Sequence, residues 1–289
     1  MQLIDGKKVS QELVEQVKRD MEVLKKETGI SPKLVVVQVG EDPASNVYIN
    51  QKRKAAEASG MLFEHMKFEA SISQEELIKK VVQLNEDKAV TGFIVQTPLP
   101  KHINEPQVFK HINPYKDVDG CTAYNTGKMF LSLEFEDLAP CTPLGCIRLL
   151  EHYKIDVKGK NVTMIGSSNT VGKPLAIMLS NRKATVTICN SKTVDLAAHT
   201  RNADIVCVAV GRAKMVTADM VKDGVVIIDI GINRTEEGKL VGDVDFDEVA
   251  KKASFITPVP GGVGPMTVAC LMENTYKAAK RQTNNLNNK

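Results

Sequence analysis

Tyr48 and Lys52 stand four residues apart in a segment that opens at Asp42-Pro43, where Asp can cap a helix and Pro suits its first turn. On such a helix both side chains leave one face and can meet one ligand, a ring for stacking and an amine for proton transfer. The same spacing also describes an ordinary surface Tyr/Lys pair. Gln96 ends an apolar run just before Pro98, where a neutral amide can be aimed into a cleft or simply close a strand. Asp119 precedes Gly120; it reads either as an Asp-Gly turn or as a carboxylate able to accept from a row of N–H donors.

A second constellation begins at Gly166. The run Gly-Ser-Ser-Asn-Thr-Val-Gly-Lys-Pro (166–174) joins an apolar strand pattern to an apolar helical pattern. Unpaired amides and the positive dipole end at a helix start favour a pyrophosphate. Gly166 permits the tight turn, Gly172 is expected to permit close approach, and Ser167 and Ser168 lie inside the turn. The spacing fails as a P-loop, since five residues separate the glycines and Pro174 stands where Ser or Thr is needed. A tight strand-to-helix connection without a ligand is the plain alternative. About 20 residues on, where a strand of such folds ends beside the adenosine ribose, Ser191, Lys192 and Thr193 replace the acidic residue expected for a bare ribose. These groups can hydrogen-bond or neutralise a 2′-phosphate.

The elements that must position these residues form an α/β chain with largely parallel sheets. Short β-branched runs alternate with longer amphipathic segments. The first series holds a strand at 34–39, the helix from Pro43, a helix at 71–85 in which Ser73 and Glu76 have capping-box spacing, and a strand at 90–95. The second holds strands near 161–165, 185–189, 205–210 and 225–230, with helices in the gaps. The proline-rich stretch 98–143, with its Pro-Cys-Thr-Pro cluster at 140–143, predicts loops and a domain crossing. A last helix is predicted over 265–280, followed by an Asn-rich tail expected to fray.

Composition bounds the function class. The chain has 289 residues, 43% hydrophobic and 25% charged, enough for two compact units. A formal net charge of +3 gives no footprint for nucleic acid. No apolar stretch approaches the ~18 residues of a membrane span and the N-terminus lacks a signal-peptide core, so a soluble cytoplasmic protein is expected. The six cysteines include no C-x-x-C pair and fit a reducing compartment. The five histidines show no metal-ligand spacing, so no metal is expected.

Taken in order, several segments resemble the bifunctional methylenetetrahydrofolate dehydrogenase/methenyltetrahydrofolate cyclohydrolase family. They are Val-Gly-Glu-Asp-Pro-Ala-Ser-Asn-Val-Tyr-Ile-Asn-Gln-Lys (39–52), Gln-Thr-Pro-Leu-Pro (96–100), Lys-Asp-Val-Asp-Gly (116–120), Gly-Ile-Asn-Arg (231–234), Val-Gly-Asp-Val-Asp-Phe (241–246) and Pro-Val-Pro-Gly-Gly-Val-Gly-Pro-Met-Thr (258–267). The resemblance implies two α/β domains with a cleft between them: a folate domain at 1–139 completed by a C-terminal helix at 266–289, and a Rossmann-type dinucleotide domain at 140–265. It implies NADP, with NAD possible, a tetrahydrofolate substrate, a homodimer, and a place in the one-carbon metabolism that feeds purine biosynthesis. By resemblance Tyr48 stacks on the folate, Lys52 is the central catalytic group, Gln96 is its partner and Asp119 binds the pterin edge. Gly166, Ser167, Ser168, Gly172, Ser191 and Ile232 would hold the dinucleotide, and Pro260, Gly261 and Gly262 would line the folate site.

The sequence departs from the common family pattern at Ser167, where Arg is usual, and at Cys121-Thr122-Ala123, Thr97, Leu144 and Asn190. Loss of the Arg removes a guanidinium fork for phosphate, which predicts a modest NADP preference. Two other readings stand beside the bifunctional one: a dehydrogenase with NAD preference and weak or absent cyclohydrolase, and a non-catalytic folate or dinucleotide-binding protein.

Overall fold

The computed structural model describes residues 1–287. Two elements come first, strand β1 (Gln2–Leu3) and helix α1 (Gly6–Thr28). A parallel three-stranded sheet of order β3-β2-β4 follows, built from β2 (Lys33–Val39), β3 (Leu62–Phe68) and β4 (Gly92–Val95). Helices α2 (Pro43–Ala58) and α3 (Gln74–Glu86) make the crossovers that parallel pairing demands. Every residue of β2 from Leu34 to Val39 is buried, as a central strand covered on both faces should be. On one face Val35, Val37, Phe93 and Val95 pack with Leu77, Val81 and Leu84 of α3.

Both helix starts follow the sequence signals. Asp42 caps α2 by accepting from the Ser45 amide at 2.7 Å. Ser73 and Glu76 close a complete capping box on α3.

The proline-rich stretch is less irregular than its composition predicts. It holds short helices α4 (Glu105–Phe109) and α5 (Ala123–Met129), and the Pro-Cys-Thr-Pro cluster opens α6 (Cys141–His152) instead of extending a loop. Pro143 falls in the first turn of α6, where a missing N–H leaves no hydrogen bond broken.

The next run contains β5 (Asn161–Ile165), α7 (Gly172–Asn181), β6 (Thr185–Cys189), α8 (Leu196–Arg201), β7 (Ile205–Val208), β8 (Val226–Asp229), β9 (Asn233–Arg234), β10 (Leu240–Val241), α9 (Phe246–Val249) and β11 (Phe255–Ile256). Its main sheet is parallel, with order β1-β11-β8-β7-β5-β6. That order turns at β5, and the glycine run leaves this strand, the position at which doubly wound sheets bind dinucleotides. Ile165, Val206, Val208 and Ile227 share a core cluster with Val216, Val221 and Val249.

The chain divides into two compact units. One comprises Met1–Ser10, Met129–Glu136 and Pro140–Thr267; the other comprises Gln11–Lys128, Asp137–Ala139 and Val268–Lys289. The N-terminus therefore differs from its predicted placement with the first sheet, because β1 extends the second sheet by pairing with β11. Helix α10 (Val263–Asn287) starts before its predicted onset and runs through most of the tail expected to fray. Residues 288–289, the predicted end of that helix and tail, lie outside the described residues. Among the described residues, no helix is long and apolar enough to cross a membrane.

Candidate functional site

In the unit built on β2–β4, the candidate side chains leave the carboxyl edge of the sheet or the helix beside it. Gln96 follows the last residue of β4, and its backbone amide donates to Val37 O at 2.8 Å, continuing the ladder by one bond. Its side chain is held at both ends. The Lys52 ammonium donates to Gln96 Oε1 at 2.8 Å, while Gln96 Nε2 donates to the carbonyl of Thr97, also at 2.8 Å. The amide orientation is thus fixed: carbonyl toward the lysine, NH₂ toward the backbone. The N-terminus of α2 is tied to the same loop, since the Ser45 hydroxyl donates to Asp42 Oδ2 and lies 3.5 Å from Thr97 O. Tyr48, one turn before Lys52, is half-buried, and burial pushes its hydroxyl pKa up, so the ring is presented as a neutral phenol.

Asp119 reaches the same sheet edge by another route. Residues 116–118 run beside β4 through a parallel bridge between Phe93 and Asp117. Gly92 makes room for that approach, because a Cβ there would sit 2.2 Å from Val118 Cγ1. The buried Asp117 carboxylate accepts from the Cys121 and Thr122 amides at 3.1 and 2.8 Å and from Asn125 Nδ2 at 2.9 Å. These bonds fix the turn that carries Asp119. The Cys121 thiol lies 3.5 Å from Asp119 Oδ2. The structure therefore joins Lys52 to Gln96 directly and holds Asp119 separately, on a frame supplied by Asp117. Sequence reasoning missed Asp117; its motif position was visible, but an acidic residue before a turn carries no sign of burial.

In the unit built on β5–β8, Gly166 adopts φ +116° at the end of β5, and a Cβ there would fall 2.3 Å from Ala209 O. A Cβ on Gly172 would fall 2.0 Å from Gly166 O. The absence of a Cβ at Gly172 therefore lets α7 pack closely on its own strand end. Ser168 folds back: its hydroxyl accepts from the Val171 and Gly172 amides at 3.2 and 3.3 Å. Those two helix-start donors are consequently engaged within the turn, whereas the sequence reading expected them unpaired. Lys173 reaches Asn169 Oδ1 at 2.8 Å.

After β6, Thr193 Oγ1 accepts from the Asn190 amide at 2.8 Å and closes a turn, leaving Ser191 and Lys192 exposed. Ile232, 43% exposed, offers an apolar surface on the segment after β8. The 260–262 turn belongs to the same unit. Gly261 has φ +102°, its carbonyl accepts from the Lys7 amide at 2.9 Å, and a Cβ on Gly6 would fall 1.8 Å from Gly262 O. The start of α1 thus packs on that turn.

Comparison with known proteins gives a consistent result. The family described as tetrahydrofolate dehydrogenase/cyclohydrolase, catalytic domain, matches residues 4–119, and its NAD(P)-binding domain matches 140–283. The chain is 51% identical over 280 residues to the bifunctional protein FolD of Nautilia profundicola, covering 97% of this chain and 98% of that one. Among solved structures, the bifunctional FolD enzyme of Campylobacter jejuni is 48% identical with a TM-score of 0.95, covering 98% and 99% of the two chains. The Trypanosoma brucei methylenetetrahydrofolate dehydrogenase-cyclohydrolase, solved with NADP and an inhibitor, is 35% identical with a TM-score of 0.93, covering 97% and 98%.

Proposed function

The chain belongs to the tetrahydrofolate dehydrogenase/cyclohydrolase family, and on that premise we propose that it oxidises 5,10-methylenetetrahydrofolate with NADP and hydrolyses the product to 10-formyltetrahydrofolate. The observation that carries the hydrolytic half is the bond from Lys52 to Gln96. The Gln96 amide oxygen accepts from the ammonium and fixes where it points. Beside a cationic methenyl group, the lysine loses its proton more readily and serves as general base. Lys52 Nζ takes a proton from the attacking water as oxygen bonds to the methenyl carbon. The proton is then delivered to the departing ring nitrogen as the carbon–nitrogen bond breaks, and the hydroxyl proton on the added oxygen passes to the freed amine and on to solvent, leaving the formyl carbonyl and one proton released overall. Tyr48 supplies a neutral ring for stacking on the folate, and Asp119 accepts from the pterin N–H groups.

A bound NADP would supply the hydride acceptor for oxidation of the methylene carbon. Its cationic product is stabilised by the adjacent nitrogens, so this half requires placement more than acid–base chemistry. The residues present fit such a group. Gly166 turns tightly before the start of α7, and Ser191 and Lys192 stand exposed where 191–193 carries no carboxylate to repel a 2′-phosphate. Ser167, Ser168, Gly172 and Ile232 complete the proposed dinucleotide contacts, and Pro260, Gly261 and Gly262 are proposed to border the folate. A homodimer in the cytoplasm belongs to the same proposal; light scattering from the purified chain tests the dimer.

The experiment for the hydrolytic half is Lys52→Met, assayed on methenyltetrahydrofolate by loss of its absorbance. Loss of the general base predicts a rate lower by about 10²–10⁴-fold, with folding preserved because methionine is a good helix former. Near-normal hydrolysis by the variant would remove Lys52 from the mechanism.

A further inference from the structure

Two carboxylates that the proposed chemistry does not use lie buried at the carboxyl ends of β7 and β8. Asp243 is fully buried and Asp229 nearly so. Asp243 Oδ2 accepts from the Val210 amide at 2.7 Å and the Gly211 amide at 3.1 Å; Oδ1 accepts from the Arg212 amide at 2.8 Å and from Asn233 Nδ2 at 2.9 Å. The three amides lie in the loop leaving β7, and the fourth donor lies on the segment leaving β8. One side chain therefore ties together two loops of the edge where a doubly wound sheet receives its dinucleotide.

Asp243 is itself held from below. Asp229, the last residue of β8, accepts from the Asp243 and Val244 amides at 3.0 Å each and from the Gly231 amide at 3.1 Å. The flanking glycines are required by this arrangement. A Cβ on Gly231 would strike the Asp243 carboxylate at 2.1 Å, and one on Gly242 would strike Asp229 Oδ2 at 1.8 Å. The segments 231–234 and 241–246 thus act together to seat two carboxylates between strand ends. The four donors to Asp243 are neutral N–H groups with fixed directions, and the carboxylate they hold fixes their loops in return. The Gly231–Asn233 stretch held in this way is the one that exposes Ile232.

We propose that Asp243 is a positioning residue for the nicotinamide dinucleotide, setting the loop 210–212 and the turn 231–233 as one rigid wall of the cofactor site. The inference rests on the dehydrogenase reading above, and its effect should fall on the cofactor-dependent reaction alone. The folate-side groups Tyr48, Lys52, Gln96 and Asp119 belong to the other compact unit.

The test is Asp243→Asn, which keeps the shape but turns one acceptor atom into a donor facing N–H groups. KM for NADP in the oxidation of methylenetetrahydrofolate should rise by about tenfold or more. Hydrolysis of methenyltetrahydrofolate, which consumes no nicotinamide, should stay within about twofold of wild type. A merely structural role would lower both activities together; that result, or an unchanged KM for NADP, would overturn the proposal. Should Asp243→Asn fail to fold, Asn233→Ala removes one of the four donors and leaves the carboxylate in place. Its KM for NADP should rise about threefold with hydrolysis unaltered, and no change in KM would equally overturn the proposal. If the wild-type chain reduces no NADP with methylenetetrahydrofolate, the functional reading fails instead, which the wild-type control reveals separately.

Discussion

The two units solve the problem of holding a ligand in different ways. At the edge of the β2–β4 sheet the candidate groups are side chains aimed by other side chains and by a turn: Lys52 donates to Gln96, Gln96 donates to Thr97 O, and Asp119 stands on a turn built on Asp117. At the edge of the β5–β8 sheet the geometry is set by the main chain, through glycines without room for a Cβ and buried carboxylates gathering amides. The difference follows from the demands on each site. Proton transfer needs a group that can change charge while staying aimed, whereas binding a dinucleotide needs a surface that stays fixed. A substitution in the first region should remove chemistry and spare the fold; one in the second should disturb binding through the backbone.

The largest effect that would sharpen this contrast is expected from Gly172→Ala. The new methyl would overlap Gly166 O, so helix and strand end must separate, at a cost of about 3 kcal/mol. Because the glycine turn proposed to receive the pyrophosphate moves with the strand end, NADP binding should weaken by roughly a hundredfold, measurable by calorimetric titration, with hydrolysis of methenyltetrahydrofolate retained. Parallel loss of both would erase the distinction between the regions.

A smaller effect is expected from Asp119→Ala. Pterin N–H groups left without an acceptor cost about 1.5–3 kcal/mol, or about ten- to a hundredfold in folate affinity. Dinucleotide affinity should be unchanged; equal weakening of both ligands in a fluorescence titration would break the assignment.

The smallest effect concerns Ser167. Introducing Ser167→Arg adds a planar guanidinium to the turn, and one charge-assisted contact should raise the NADP/NAD ratio of kcat/KM by about tenfold at low salt. The gain should shrink as ionic strength rises. An unchanged ratio would mean that Ser167 does not face the 2′-phosphate.

The same contrast explains what the sequence disclosed. Helix starts at Asp42 and Ser73 were legible because capping is local: donor and acceptor lie within three residues. The strand-to-helix turn at Gly166 was legible for the same reason. Lys52 and Gln96 are 44 positions apart, and only the resemblance to a family brought them together before the fold did. The pairing of β1 with β11 was invisible, since two-residue strands carry no periodicity. Asp229 and Asp243 were hidden by their type: acidic residues beside glycines read as solvated turns, and only the fold reveals that amides replace water around them. The Pro140–Pro143 cluster misled for the opposite reason, because proline breaks a helix interior but is at home in a first turn.

The central claim is that chemistry and dinucleotide binding rest on separable sets of residues. It is tested most directly by calorimetric titration of NADP into the Lys52→Met protein. A dissociation constant within about twofold of wild type is predicted, since the altered side chain belongs to the folate set alone. Tenfold or greater weakening would contradict the account, by showing that the lysine helps to hold the cofactor.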